Sequence, residues 1–97
     1  MSDRELNLAI HQEVEGWVGH VNPNRYYCND PAWCVRMMER HKIGVTYWQD
    51  PISKVWEWWA ECGEVESTDY MEVSDLSLTR AVALVVLQLH RKEKANE

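Results

Sequence analysis

The spacing of apolar residues predicts two amphipathic helices in the first half of the chain. Leu6, Ile10 and Val14 lie four residues apart, which places them on one face of a helix over residues 3–15. A second helix is predicted in the segment NDPAWCVRMMERHK, because its Asn-Asp pair supplies a cap and its proline suits the first helical turn. Between these helices, residues 19–29 contain an Asn-Pro-Asn turn and are predicted to form a loop.

Alternating side chains predict a small antiparallel sheet in the middle of the chain. The segments IGVTYWQ and KVWEWWAEC are predicted strands joined by a turn at residues 50–53, and TDYMEVS is predicted to be the third strand. Successive side chains of a strand point to opposite faces, so the tryptophan-rich strand presents two different surfaces. The first surface, predicted to pack into the core, consists of Trp56, Trp58, Ala60 and Cys62, and the second consists of Val55, Glu57, Trp59 and Glu61.

The last part of the chain predicts a long, mostly apolar helix that begins at Asp75 or Ser77. Such a helix is either buried or covered by a partner. Burial against the tryptophan-rich sheet is the favoured interpretation, and a homodimer through this helix is the alternative. We therefore predict an α+β fold, an α/β/α sandwich in which helices flank a small three-stranded antiparallel sheet. The length predicts one domain, 1–97, with 92–97 as a frayed charged tail.

Charge is distributed unevenly along the chain and narrows the range of partners. The formal net charge is −6, and residues 55–79 hold seven acidic residues without a single Lys or Arg. Because phosphate contacts need basic residues, this bias argues against direct binding of nucleic acid. No apolar run approaches the roughly 18 residues of a membrane helix, and the charged N-terminal residues do not resemble a signal peptide. The sequence therefore predicts a cytoplasmic protein that does not bind membranes.

Three cysteines are the first candidates for chemistry. Their odd number and the predicted compartment indicate reduced thiols. Cys28 and Cys34 lack the spacing of a zinc knuckle, and on a helix Cys34 would lie about 10 Å from His41, too far for a direct hydrogen bond. Acidic residues four apart on one strand are separated by about 13 Å, more than the ~5–9.5 Å of glycoside hydrolases. We predict no catalytic residues, no metal and no cofactor, and hence a protein that is not an enzyme.

Three stretches resemble the phage ABA sandwich domain family. ELNLAIHQEVEGW is similar to the opening of that family, YYCNDPAWCVRMMER to the start of its second helix, and SLTRAVALVVLQL to its final alanine-rich helix. The resemblance covers most of the chain and implies an α/β/α sandwich encoded by a phage or prophage and working in the host cytoplasm. It implies no catalytic residues, because the family has no established active site. This chain departs from the family in its more acidic segment before the last helix and its denser tryptophans.

The acidic segment and one tryptophan make up the predicted partner-binding surface. Trp59 lies between Glu57 and Glu61, and it is either a core residue under a helix or an aromatic anchor at an interface. We predict a non-catalytic inhibitor that binds a basic surface of a host defence or nucleic-acid-processing complex, with carboxylates at the positions of phosphates. The predicted partner-binding residues are Glu57, Trp59, Glu61, Glu64, Glu66, Asp69 and Glu72.

Two functions of other classes also fit the sequence. A virion or assembly accessory protein would form an oligomer through the apolar last helix. A small-molecule-binding protein would have a closed polar pocket. For an anionic nucleotide that pocket would need converging bases, for which Arg25, Arg36 and Arg40 are the candidates.

Overall fold

A computed structural model describes residues 1–16, 27–64, 68 and 70–95. Among these residues are three helices and one sheet. Together they confirm the predicted α+β fold. The first helix continues directly into a π-helical segment, and all of the helices lie within or close to their predicted bounds. Helix α1 spans Asp3–Ala9 and is followed by the π-helix Ile10–Val14, α2 spans Pro31–His41, and α3 spans Leu78–Ala95.

Side-chain caps fix the beginnings of the first two helices. The Ser2 hydroxyl accepts a hydrogen bond from the Glu5 backbone N–H at 3.1 Å, and the Glu5 carboxylate accepts one from the Ser2 N–H. At α2 the Asp30 carboxylate accepts from the Ala32 N–H at 3.0 Å, and Pro31 occupies the first turn. The cap of α2 confirms the sequence-based prediction. Helix α2 ends at Lys42, whose φ of 54° is left-handed and cannot continue the helix.

The three strands form an antiparallel meander with β2 in the centre and β1 and β3 at the edges. The pairing register defines rows of three residues across the sheet. In one row Gly44, Glu61 and Glu72 lie side by side, and in the next Thr46, Trp59 and Ser74 do. The strands span Gly44–Gln49 (β1), Trp56–Cys62 (β2) and Met71–Asp75 (β3).

Helix α3 is the middle layer of the molecule. One side of it packs on β2 and β3, and it also contacts α1, the π-helix and α2. Most of its apolar residues are buried within this chain, and Leu78, Leu84 and Leu89 are partly buried, which confirms the predicted burial and leaves no fully exposed apolar stripe on the helix for a dimer. The buried residues of α3 are Ala81, Val82, Ala83, Val85, Val86 and Leu87.

The order of layers is therefore sheet, then α3, then α1 and α2. Every described helix lies on the same side of the sheet, and the sequence prediction that helices would also cover the other face has no counterpart among the described residues. No described helix is both long enough and apolar enough to cross a bilayer.

One local prediction about packing needs correction. Trp56 was predicted to be a core residue, but it is 52% exposed. The reason is that β3 pairs with β2 only from Trp58 onward, so the β1–β2 hairpin extends past the third strand. The remaining residues of that face behave as predicted: Ala60 is fully buried, and Trp58 and Cys62 pack against the core.

The charged C-terminal segment is helical as far as Ala95, which takes in residues 92–95 of the predicted frayed tail. Side-chain contacts hold it there. The Arg91 guanidinium donates to both carboxylate oxygens of Glu13, at 2.9 and 2.8 Å, and the Lys92 ammonium donates to the Thr68 carbonyl. Residues 96 and 97 lie outside the described part of the chain.

Candidate protein-binding face

The second face of the sheet, on which no described helix packs, is termed the open face. It comprises the side chains that alternate with the core-facing ones, and most of them are exposed. Because β-strand residues alternate between faces, a covered face and an open face arise from the same three strands. The open face consists of Gly44, Thr46 and Trp48 on β1, Glu57, Trp59 and Glu61 on β2, and Glu72 and Ser74 on β3.

Two tryptophans form the apolar part of the open face. The rings of Trp48 and Trp59 contact each other, with centroids 5.7 Å apart and ring planes inclined by 59°. Trp48 is 45% exposed, and Trp59 is partly buried but does not belong to the core cluster. Trp59 thus lies on the open face, beside the more exposed Trp48.

The indole nitrogen of Trp59 is an exception to the rule that buried polar groups form hydrogen bonds. Trp59 Nε1 is buried and has no hydrogen-bond partner among the described residues. A buried donor without a partner costs about 1–3 kcal/mol relative to a satisfied one. The other buried indole shows the usual arrangement, because Trp33 Nε1 donates to the Glu15 carboxylate at 3.0 Å.

Two carboxylates lie directly opposite each other on neighbouring strands of the open face. Glu61 pairs with Glu72 in the register, and the Tyr70 hydroxyl contacts both carboxylates, at 3.0 Å from Glu61 and 2.5 Å from Glu72. A hydroxyl has one proton and donates to one of these oxygens at a time. The hydrogen bonds to Glu72 and Glu61 and the nearby negative charge raise the pKa of Tyr70. Tyr70 therefore holds two like charges together without neutralising them.

A shallow recess joins the aromatic and acidic parts of the open face. Its volume is about 200 Å³, below the ~300–1,000 Å³ of pockets that enclose drug-sized ligands. The strands that carry it contain no Lys or Arg, and the ion pairs of the described residues lie elsewhere, on Arg80 and Arg91. The recess is thus large enough for the end of one positively charged side chain. Its lining residues are Thr46, Trp48, Trp59, Glu61 and Glu72.

The structure brings together four of the predicted partner-binding residues. Glu57, Trp59, Glu61 and Glu72 share the open face. Glu64 is exposed just after β2. The two others, Glu66 and Asp69, lie outside the described residues.

The sequence-based prediction missed Trp48, Thr46 and Tyr70. The alternation within β1 already places Thr46 and Trp48 on one side, and only the pairing register shows that this side is shared with Trp59. The alternation within the predicted strand TDYMEVS places Tyr70 on the same side as Glu72, and only the pairing register brings that side beside Glu61. A hydroxyl that bridges two carboxylates is recognisable only from coordinates.

The cysteines are poorly placed for nucleophilic chemistry. Cys28 and Cys34 are buried, and desolvation raises the pKa of both thiols. The Cys62 thiol lies 3.2 Å from the His41 carbonyl oxygen, where it donates a hydrogen bond to the end of α2. Among residues 1–16, 27–64, 68 and 70–95, no three His, Cys, Asp or Glu side chains are grouped as metal ligands would be.

Comparison with known proteins adds no relatives to this picture. No protein-family model matches the chain, and neither the curated proteins nor the solved structures contain a significant match. The resemblance to phage ABA sandwich domains therefore rests on the three sequence stretches alone and stays a prediction. The functional argument has to come from the open face itself.

Proposed function

We propose that this protein is a non-catalytic binding domain that takes a basic surface of a partner protein on its open face. The observation that carries the proposal is the combination of two contacting indoles with three carboxylates on one uncovered sheet surface. The strands that form this surface contain no Lys or Arg to neutralise it. The residues concerned are Trp48, Trp59, Glu57, Glu61 and Glu72.

The chemistry of the open face favours Lys and Arg side chains of a partner. A cation over an indole gains about 0.5–1 kcal/mol at an exposed site and about 2 kcal/mol when water is excluded. Exposed ion pairs typically contribute about 0–1 kcal/mol each, and the carboxylates also raise the encounter rate and fix the orientation of the partner. The tryptophans add apolar contact area, as aromatic residues do at other interfaces, so that binding needs both the indoles and the carboxylates. Binding through these groups weakens as salt screens the charges.

The identity of the partner belongs to the same proposal. An inhibitor of a host defence or nucleic-acid-processing complex would need carboxylates where that complex normally binds phosphates, and Glu61 and Glu72 offer two side by side. A phage or prophage origin and action in the host cytoplasm are supported only by the sequence resemblance. The two alternative functions have less support: the recess is small for a ligand pocket, and α3 has no exposed apolar stripe for assembly.

A matched pair of variants tests the proposal. Glu61→Gln/Glu72→Gln removes two charges from the open face, and Glu39→Gln/Glu93→Gln removes two exposed charges from α2 and α3. Each immobilised variant is used to capture proteins from bacterial lysate at low and high salt. We expect the native protein and the α2/α3 variant to retain the same basic proteins at low salt, and the open-face variant to lose them.

The control determines what a negative result means. Both variants carry the same net charge, so a difference between them cannot come from overall electrostatics. Equal retention of partners by the two variants would contradict the proposal. A far-UV circular dichroism spectrum and melting curve for each variant show whether lost binding reflects lost structure.

A further inference from the structure

No described strand pairs with the outer edge of β1. In the strand order β1-β2-β3 each outer strand has one described neighbour, and five of the six β1 residues are exposed. Strand β1 contains neither a charged residue nor a proline. These are the usual devices that prevent another strand from pairing with an edge. Strand β3, in contrast, carries Glu72 and Asp75, and Asp75 is held by the Arg80 guanidinium at 3.1 Å.

Gly44 leaves a gap in the open face at this edge. It pairs with Glu61, and a Cβ atom at Gly44 would lie 3.7 Å from both Cγ and Oε1 of Glu61. The side chain of Glu61 therefore extends over Gly44 toward the edge of β1. Its other carboxylate oxygen, Oε2, contacts the Tyr70 hydroxyl on the opposite side. One oxygen of Glu61 thus lies where a side chain crossing the β1 edge would meet it.

The two faces of β1 set a pattern for anything that pairs with it. On the open face its residues adjoin the carboxylates of β2. On the other face Tyr47 is 51% exposed and stacks on Trp56, with ring centroids 5.5 Å apart. A strand added to β1 would place alternate side chains beside the acids and beside this aromatic pair.

We infer that β1 accepts an extended segment of the partner as a fourth strand, with basic residues at alternate positions and apolar residues between them. This inference rests on the proposed function and specifies how the partner binds. The added strand lies about 9.6 Å from β2, two strand spacings away. The Glu61 side chain extends from β2, and a long Lys or Arg side chain extends from the added strand. The two side chains meet above Gly44. Backbone hydrogen bonds to β1 supply affinity, and the alternating side chains supply specificity.

A second copy of this chain is a poorer occupant of the same edge. Pairing β1 with β1 of another molecule brings no basic side chain to the open face, because the strands contain none. It also sets two acidic faces beside each other in molecules of net charge −6. Charge complementarity therefore selects a basic segment.

Two lysine substitutions in one row of the sheet test the inference. Thr46 and Ser74 flank Trp59 on opposite edges of the open face, and both are exposed. Thr46→Lys places a positive charge at the proposed pairing edge, whereas Ser74→Lys adds the same charge at the far edge. The probe is a synthetic peptide as long as β1 that alternates arginine with valine, and a version N-methylated at every second residue cannot complete the pairing.

The expected results concern affinity and the backbone of β1. By isothermal titration, Thr46→Lys weakens peptide binding about tenfold or more, and Ser74→Lys weakens it by less than about threefold. The peptide slows amide hydrogen exchange in β1 and leaves β3 unchanged, and the N-methylated peptide does not bind. Equal effects of the two lysines, or millimolar peptide without protection of β1, would overturn strand pairing. A native protein that sediments as a dimer and pairs with itself through β1 would overturn it as well.

These outcomes are separable from those of the proposed function. If Glu61→Gln/Glu72→Gln loses its lysate partners while the two lysine variants behave alike, the open face binds a basic partner without pairing at β1. If the glutamine variant keeps its partners, the proposed function itself fails, whatever the peptide does.

Discussion

The same substitution at two tryptophans should have very different effects on stability, because the two indole N–H groups differ. Trp33 is 2% exposed and its Nε1 donates to the Glu15 carboxylate at 3.0 Å. Trp59 is partly buried and its Nε1 is buried without a partner among the described residues. Replacing either residue by Phe removes an indole N–H and leaves an aromatic ring in place. We therefore compare Trp33→Phe with Trp59→Phe.

The expected magnitudes follow from the hydrogen bond and the lost area. Trp→Phe removes about two ring carbons, or about 1.6 kcal/mol of apolar burial at a fully buried site. At Trp33 the hydrogen bond to a carboxylate adds about 1.5–3 kcal/mol, so the free energy of unfolding should fall by about 3–5 kcal/mol. At Trp59 less burial is lost, and removing the unpaired donor recovers about 1–3 kcal/mol. The free energy of unfolding there should therefore change by between about −0.6 and about +3 kcal/mol.

Urea unfolding followed by far-UV circular dichroism measures both values with a signal that does not depend on tryptophan. For a domain of this size the total stability is about 5–15 kcal/mol, so the loss at Trp33 is large enough to shift the midpoint clearly. Equal losses in the two variants would refute the reasoning. They would mean that the Trp59 N–H is satisfied in solution and that the open face has no unpaired donor.

Three further predictions concern the core, a cap and pH. Leu87→Ala should lower the free energy of unfolding by about 2–5 kcal/mol, and Leu76→Ala, at a 70% exposed position, by less than about 1 kcal/mol; thermal unfolding of the pair checks this. Asp30→Ala removes the cap of α2 and should cost about 0.5–2 kcal/mol in urea unfolding. The raised pKa of Tyr70 means that the unfolded chain releases this proton first, near pH 10. Stability should therefore fall as pH rises above about 10, and less steeply in Tyr70→Phe, as measured by unfolding at about pH 8 and pH 11.

The elements of this fold were predictable from local signals. Capping residues such as Asp30 are specified by a few neighbouring atoms, and the alternation on β2 follows from strand geometry alone. Burial of α3 was also predictable, because an almost wholly apolar helix must be covered. Each of these predictions depends on residues close together in the chain.

The order of the layers was not predictable in the same way. A long apolar helix can be buried by a sheet on one side alone, or by a sheet on one side and helices on the other. Only the observed packing shows that α3 lies between the sheet and the other helices. Consequently the sequence indicated which face of β2 packs into the core, but it could not show that the described helices leave the other face open. Trp56 illustrates the limit, since its exposure depends on where β3 stops pairing with β2. The candidate site was half predictable for the same reason: Trp59 and Glu61 were named, but their neighbours Trp48 and Tyr70 depend on register.

Three features of the open face do not favour the stability of the fold. Glu61 lies directly opposite Glu72, where like charges are destabilising by a fraction of a kcal/mol to about 1 kcal/mol. Trp59 buries a donor that has no partner among the described residues, and β1 has neither a charged residue nor a proline at its edge. Elsewhere caps, ion pairs and core packing agree with the fold, and conflicts of this kind tend to collect where a surface serves binding. The glutamine variant of Glu61 and Glu72 should therefore unfold no earlier than the native protein, even though it loses its partners. A sheet that became less stable on losing these charges would mean that the acidic pair supports the fold and that the argument for a binding face has lost its energetic basis.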